Sequence, residues 1–216
     1  LFGSGNRLWT KASPVASRIG HGRHEQEAAA WREQLLAGLA ALAGENFVPD
    51  IIAASGPLAG FVPLGPQGEI LGPAVLYNDL RSERFLAAAC AGLDRRAPRG
   101  TVADPLPHAL RLRAEERAVF DAMRHFLDAT GYLNFVLCGA ATLNDYTALR
   151  LDPGQRARLG LADVPFGRPV ATGQIIGTLR AELAAALGWP AIPIVAAPFD
   201  SKCAYLGSGI AKPGEA

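Results

Sequence analysis

Several large protein classes are ruled out by what this sequence lacks. Cysteine occurs three times in 216 residues, at Cys90, Cys138 and Cys203, and no Cys-x-x-Cys pair is present. An odd count without that spacing argues against a disulfide frame and fits reduced thiols packed as small apolar groups. The longest apolar stretch, residues 35–44, falls well short of the ~18 residues a membrane-spanning helix needs. Charge of one sign is missing too. Lys plus Arg total 21 against 20 for Asp plus Glu, a net charge of +1, so nothing draws the chain toward nucleic acid or an acidic membrane. The one skew, Arg7, Lys11, Arg18 and Arg23 ahead of the first acid Glu25, reads as a solvated edge.

Motif absences narrow the field further. There is no Gly-x-x-x-x-Gly-Lys-Ser/Thr loop, and Gly3-Ser4-Gly5 lacks the third glycine and the preceding strand of a dinucleotide loop. No Gly-x-Ser-x-Gly elbow occurs, which argues against a serine hydrolase. His21, His24 and Glu25 cluster without a second ligand pair at metal-site spacing, so no metal site is expected. The chain opens on Leu1 with no charged flank and apolar stretch of a secretory signal. The expectation is a cytoplasmic protein whose true start lies upstream.

What is present is a half-apolar chain, 50% by composition, long enough for a substantial core. Residues 1–9 read as two extended pieces around a Gly/Asn turn. Trp31, Leu35, Leu39 and Leu42 recur at helical spacing, predicting an amphipathic helix of about five turns from Glu25, stopped by Gly44 and Pro49. Residues 51–54, 61–64 and 74–77 read as strands, the first of them buried. Helices are expected over 80–91, 108–127, 130–139 and 179–187, with a surface loop over 94–107 and a buried strand over 192–197. Alternation of strands and helices makes this an α/β domain.

Two carboxylates stand where such domains bind ligands. Asp200 follows the last buried strand, and strand carboxyl ends in open α/β sheets line the ligand crevice. Partly buried beneath Phe199, it would serve as a general base; alternatively it caps the helix that begins there. Asp79, in Tyr77-Asn78-Asp79-Leu80-Arg81, poses the same choice. Its carboxylate and the neighbouring ring either meet a polyhydroxylated ligand, or Asp79 caps a helix at Leu80 and pairs with Arg81.

The order of these pieces resembles the N-terminal domain of the FGGY family of carbohydrate kinases. Glu25-Gln26 followed by Trp31 is similar to the family's Glu-Gln-x-x-x-x-Trp, and residues 52–56 to its Ile-x-x-Ser-Gly strand end. Residues 68–81, with Pro73-Ala74-Val75-Leu76-Tyr77-Asn78-Asp79, resemble its Pro-Ala-Ile-Leu-Trp-Asn-Asp segment. Ile176-Gly177-Thr178-Leu179 and residues 193–209 resemble the strands that lead to its catalytic aspartate.

The resemblance implies a ribonuclease H-like, actin-like ATPase N-terminal domain spanning 1–216 and incomplete at its first hairpin, with a second, nucleotide-binding domain absent. It implies ATP-dependent phosphorylation of a ketopentose of D-ribulose or xylulose type. Asp200 would be the catalytic base, and Leu58, Ala59, Asp79 and Ser201 substrate contacts. MgATP would belong to the full-length parent, because no Asp-x-Gly-Thr phosphate loop occurs in these 216 residues; the isolated chain is expected to be inactive. The partners implied are a small-molecule sugar and the missing kinase domain, with a homodimer left open. Pro57-Leu58-Ala59 departs from the Gln-Met-His usual in xylulokinases, Tyr77 stands for the usual Trp, and Ala197 replaces a common glycine. These departures keep a second reading open, a non-catalytic sugar- or partner-binding domain.

Overall fold

The computed structural model describes residues 9–91 and 101–208, and the backbone of 2–3 and 6–7. Strands β1 (Phe2–Gly3) and β2 (Asn6–Arg7) pair antiparallel with Phe2 opposite Arg7, the hairpin expected from the Gly/Asn turn. A second hairpin joins β3 (Ser17–Gly20) to β4 (Arg23–Gln26). It turns through His21 and Gly22, both at positive φ (50° and 75°). Helix α1 (Ala28–Gly44) follows, so Glu25 and Gln26 lie in a strand and not in the helix as expected. The Glu25 backbone pairs with Val75 and its side chain is buried against Arg81, and these contacts hold it in the sheet. Trp31 and Leu42 are buried on α1, with Leu35 and Leu39 packed in the cluster of Leu42, as the helical spacing required.

Next come β5 (Ile52–Ala54), β6 (Phe61–Leu64) and β7 (Ala74–Val75), then a 3-10 helix Leu80–Phe85 running into α2 (Leu86–Cys90). The loop expected over 94–107 lies partly outside the described residues, and its end is helical. Pro105, whose missing N–H costs nothing in a first turn, opens α3 (Pro105–Glu115). The single helix expected over 108–127 is three elements: α3, α4 (Arg117–Ala122) and β8 (His125–Asp128). Glu116 breaks the first helix at φ −130°, ψ 51°. From Met123 the chain is extended, and β8 pairs with β6, Phe61 opposite Asp128 through Leu64 opposite His125. Burying Phe126 and Leu127 on opposite faces of that sheet outweighs continuing the helix.

The chain continues through α5 (Ala129–Cys138), β9 (Thr142–Leu143), α6 (Asp145–Leu149), α7 (Pro153–Arg158) and β10 (Arg168–Pro169). It closes with β11 (Ile175–Thr178), α8 (Ala181–Leu187), β12 (Pro193–Ala196) and α9 (Asp200–Gly207). Gly188 ends α8 in the left-handed conformation, as its place in the sequence predicts.

Two larger sheets organise the domain, one five-stranded in the order β3-β4-β7-β6-β8 and one three-stranded in the order β11-β12-β5. Strand β6 is buried at all four positions because helices cover both faces of its sheet. Phe61 and Phe126 pack with Leu106, Ala109 and Leu110 of α3 on one face; Val62, Leu64 and Leu127 meet Trp31 of α1 and Tyr132 of α5 on the other. A third cluster joins Leu42, Leu137, Ile194 and Trp189 beside the smaller sheet. Strand β5, expected to be buried, is an edge strand among the described residues; only Ala54 of its three residues is buried, and Ile51 before it is 53% exposed.

The turn out of β8 is fixed by a buried carboxylate. Asp128 Oδ1 accepts from the Gly131 N–H at 2.7 Å, and Oδ2 accepts from the Asn144 N–H and Nδ2 at 3.0 and 2.8 Å. Burial pushes the Asp128 carboxyl up, against the pull of those donors. The close approach needs glycine at 131, where a Cβ would stand 2.0 Å from the Thr142 carbonyl oxygen. Gly131→Ala is therefore expected to cost about 2–3 kcal/mol, read as a lowered urea midpoint with an unchanged slope.

Candidate functional site

Strands β12 and β5 run parallel, with Ile194 opposite Ile52 and Ala196 opposite Ala54. Parallel pairing sets both carboxyl ends at one edge of the sheet, the edge where α/β domains hold ligands. Two hydrogen bonds tie the loops leaving these strands. Ser55 Oγ donates to the Pro198 carbonyl at 2.7 Å, and the Asp200 N–H donates to the Gly56 carbonyl at 3.0 Å. Gly56 also sits against the start of α5: its N–H donates to Thr130 Oγ1 at 3.1 Å, and a Cβ there would stand 2.6 Å from Ala129 Cβ. The Ser-Gly pair at 55–56 thus joins three segments in a space that leaves no room for a larger residue.

This crossing brings Asp200, Leu58 and Ser201 together. Asp200 Oδ1 accepts from the Leu58 N–H at 3.2 Å and from the Ser201 N–H at 2.8 Å, while Oδ2 has no partner among the described residues. Neither the N-cap position nor the partial burial expected of Asp200 is what the structure holds. The N-cap position belongs to Phe199, which makes no side-chain cap bond, and Asp200 stands in the first turn of α9. The carboxylate is exposed and not covered by Phe199; that ring turns to Tyr146 instead, edge to face at 5.3 Å.

Ser201 is exposed and Leu58 half-buried. Ala59 is only 4% exposed and holds φ 55°, a left-handed backbone unusual for a residue with a Cβ. Its methyl belongs to the core, so what it offers a ligand is backbone.

Asp79 is held elsewhere. Completely buried, it caps the 3-10 helix by accepting from the Arg81 N–H at 3.1 Å, accepts from the His24 N–H at 2.9 Å, and takes the Arg81 guanidinium on both oxygens. Arg81 reaches on to Glu25 at 2.5 Å. The cap-and-pair alternative describes this geometry, and among the described residues no hydrogen bond joins the network to Asp200. Burial pushes the Asp79 carboxyl up, but Arg81 and the two N–H donors outweigh it and hold the group below the usual range. Tyr77, two residues earlier, is 54% exposed. The register of Phe61 opposite Val75 brings the segment before β6 and the segment after β7 to the same sheet edge.

The residues that steady α9 carried little signal in the sequence. Lys202 Nζ pairs with Asp145 Oδ2 at 2.8 Å, which lowers the Asp145 carboxyl. The Arg150 guanidinium lies 4.9 Å from the Tyr146 ring centroid and donates to its hydroxyl at 2.8 Å. Lys202 and Asp145 are 57 residues apart and lie on different helices, so no local pattern pairs them. Among the described residues, no three carboxylate, imidazole or thiol side chains gather as a metal site needs.

The fold matches that of the N-terminal domain of actin-like sugar kinases. Structures it matches are a xylulose kinase from Rhodospirillum rubrum, at TM-score 0.84 and 25% identity over 97% of this chain and 49% of that one, and a xylulose kinase from Brucella ovis, at TM-score 0.75 and 26% identity over 86% and 42%. A rhamnulokinase from Bacteroides thetaiotaomicron is 30% identical over 117 residues, 47% of this chain and 24% of that protein. No family model matches the sequence. The resemblance read from the sequence stands, and the structural neighbours are FGGY carbohydrate kinases. The chain spans about half the length of those two solved kinases and a quarter of the rhamnulokinase.

A carboxyl held low contributes stability that is complete above its ordinary value, near pH 4, and lost as pH falls through its folded value. Asp79→Asn is therefore expected to lower the urea midpoint at pH 7 and to flatten the further loss as pH falls below about 4. A wild-type acid limb as shallow as the variant's would show that the Asp79–Arg81 pairing adds nothing.

Proposed function

We propose that this chain is the sugar-binding half of an ATP-dependent carbohydrate kinase acting on a ketose, a ketopentose of ribulose or xylulose type, with Asp200 as general base. The observation that carries this is the Asp200 carboxylate at the carboxyl edge of β12 and β5. Two backbone N–H groups fix one of its oxygens, and the other is open to solvent beside the 57–59 loop. A base aligned in this way takes the proton from a sugar hydroxyl as that oxygen becomes a nucleophile, and phosphoryl transfer rests mainly on such alignment. Ser201 and the backbone of Leu58 and Ala59 flank it as substrate contacts, and Asp79 contributes by fixing the turn that presents Tyr77. The relatives' names, xylulose and rhamnulose kinase, both specify ketoses, which supports that class.

MgATP is the cofactor such kinases imply. The sequence carries no Asp-x-Gly-Thr, and the proposal assigns nucleotide binding to a longer parent, its phosphate loop on the first hairpin and its remaining contacts on the second domain. One observation favours a second reading. Leu58 and Ala59 present no side-chain hydrogen-bonding group beside Asp200, as in a domain that binds a sugar or partner without phosphorylating it.

The parent protein carrying this segment, assayed for ADP release with D-ribulose, D-xylulose and L-rhamnulose, separates the two. The kinase reading expects sugar-dependent release. Asp200→Asn should cut kcat by about 10²–10⁴ with sugar affinity within a few-fold. Sugar binding without ADP release selects the non-catalytic reading.

A further inference from the structure

Helix α3 is buried along eight consecutive residues, 105–112, and two of them are polar. His108 is 1% exposed and Arg111 2%; three apart on a helix, they share a face. That face closes a small cavity against the five-stranded sheet, whose other walls include Glu25, Phe61, Phe126 and Glu116.

Most polar atoms there are accounted for. Ser82, itself fully buried, lies 2.7 Å from His108 Nδ1. Arg111 Nη1 donates to Glu116, and Arg81 Nη2 to Glu25. Two buried atoms remain without a partner, His108 Nε2 and Arg111 Nε. Buried polar groups without partners are rare, and ordered water is the usual remedy where the site is polar and roomy enough. The cavity leaves about 10 Å³ for the centre of a water-sized sphere, the space of a single molecule. A larger ligand does not fit.

The donors and acceptors then balance in one arrangement. Burial, with Arg111 close by, pushes the His108 pKa down to about 3, so the ring is neutral, with one donor and one acceptor nitrogen. The Ser82 hydroxyl has no other acceptor among the described hydrogen bonds, so it donates to Nδ1 and the ring proton sits on Nε2. We propose that this cavity is a binding site for one resident water, which accepts from His108 Nε2–H and Arg111 Nε–H and donates to the carboxylates of Glu25 and Glu116. The water thereby joins α3 to Glu25 of the Asp79–Arg81–Glu25 network, beside the direct Ser82–His108 contact.

A crystal structure of the 216-residue chain, at a resolution that shows internal waters, tests this. One density peak within about 3.2 Å of both nitrogens is expected. No peak, or a direct bond between either nitrogen and a carboxylate, overturns the proposal. Nitrogen NMR of the 15N-histidine-labelled chain at pH 7 tests the proton assignment independently, with the Nε2–H tautomer expected at His108. The Nδ1–H tautomer would remove the donor on which the arrangement depends. Neither measurement depends on a variant that has to fold.

Discussion

One helix serves two cores, and the rest of the domain depends on where it starts. Helix α5 presents Tyr132 to the cluster under the five-stranded sheet and Leu137 to the cluster beside the three-stranded one, with Leu133 touching both. A helix that is apolar on most of its surface has no solvent face to orient it, so its position has to be set at its ends. Asp128 fixes the start through Gly131 and Asn144, and Gly139 in the left-handed conformation fixes the end. The Thr130 hydroxyl then receives the Gly56 N–H, so the same anchored turn also locates the loop that reaches Asp200.

The candidate site is made largely of backbone. Asp200 is oriented by two N–H groups and by the Gly56 carbonyl, not by a partner side chain. Side chains act one step further out. Lys202 with Asp145, and Phe199 with Tyr146, hold α9 against α6. Backbone donors therefore hold the Asp200 carboxylate in place independently of the side chains on the 57–59 loop. The charges of Asp79, Arg81 and Glu25 have another use. Their buried network is satisfied internally, so it stiffens the turn below Tyr77 and leaves little for a ligand.

Legibility in the sequence followed the range of the forces involved. Helix α1, helix α8 and strand β12 could be read because spacing, a terminal Gly or Pro and a run of β-branched residues act within a dozen positions. Glu25 and Gln26 of β4, and β8 up to Leu127, read as helix in the sequence. These segments have no strong period of their own; β8 becomes a strand by pairing with the distant β6, Val62 opposite Leu127, and β4 by lying between its hairpin partner β3 and the distant β7, Glu25 opposite Val75. Burial of β5 was over-read for a related reason. An apolar run states that a strand can be buried, but not whether a second neighbour covers it.

The sequence alone determined the α/β class, the ends of α1, α5 and α8, and the placement of Asp200 after a strand and Asp79 before a helix, because these depend on local backbone preference and hydrophobic period. Only the tertiary structure decided their different fates. Asp79 went to full burial under Arg81 because Glu25, 54 residues earlier, stands on a paired strand beside it. Asp200 stayed in solvent beside Leu58 because two parallel strands end together and a glycine at 56 lets their loops cross. Carboxylates in similar local settings are separated by partners distant in sequence, and a pattern read over a few turns carries no information about those partners.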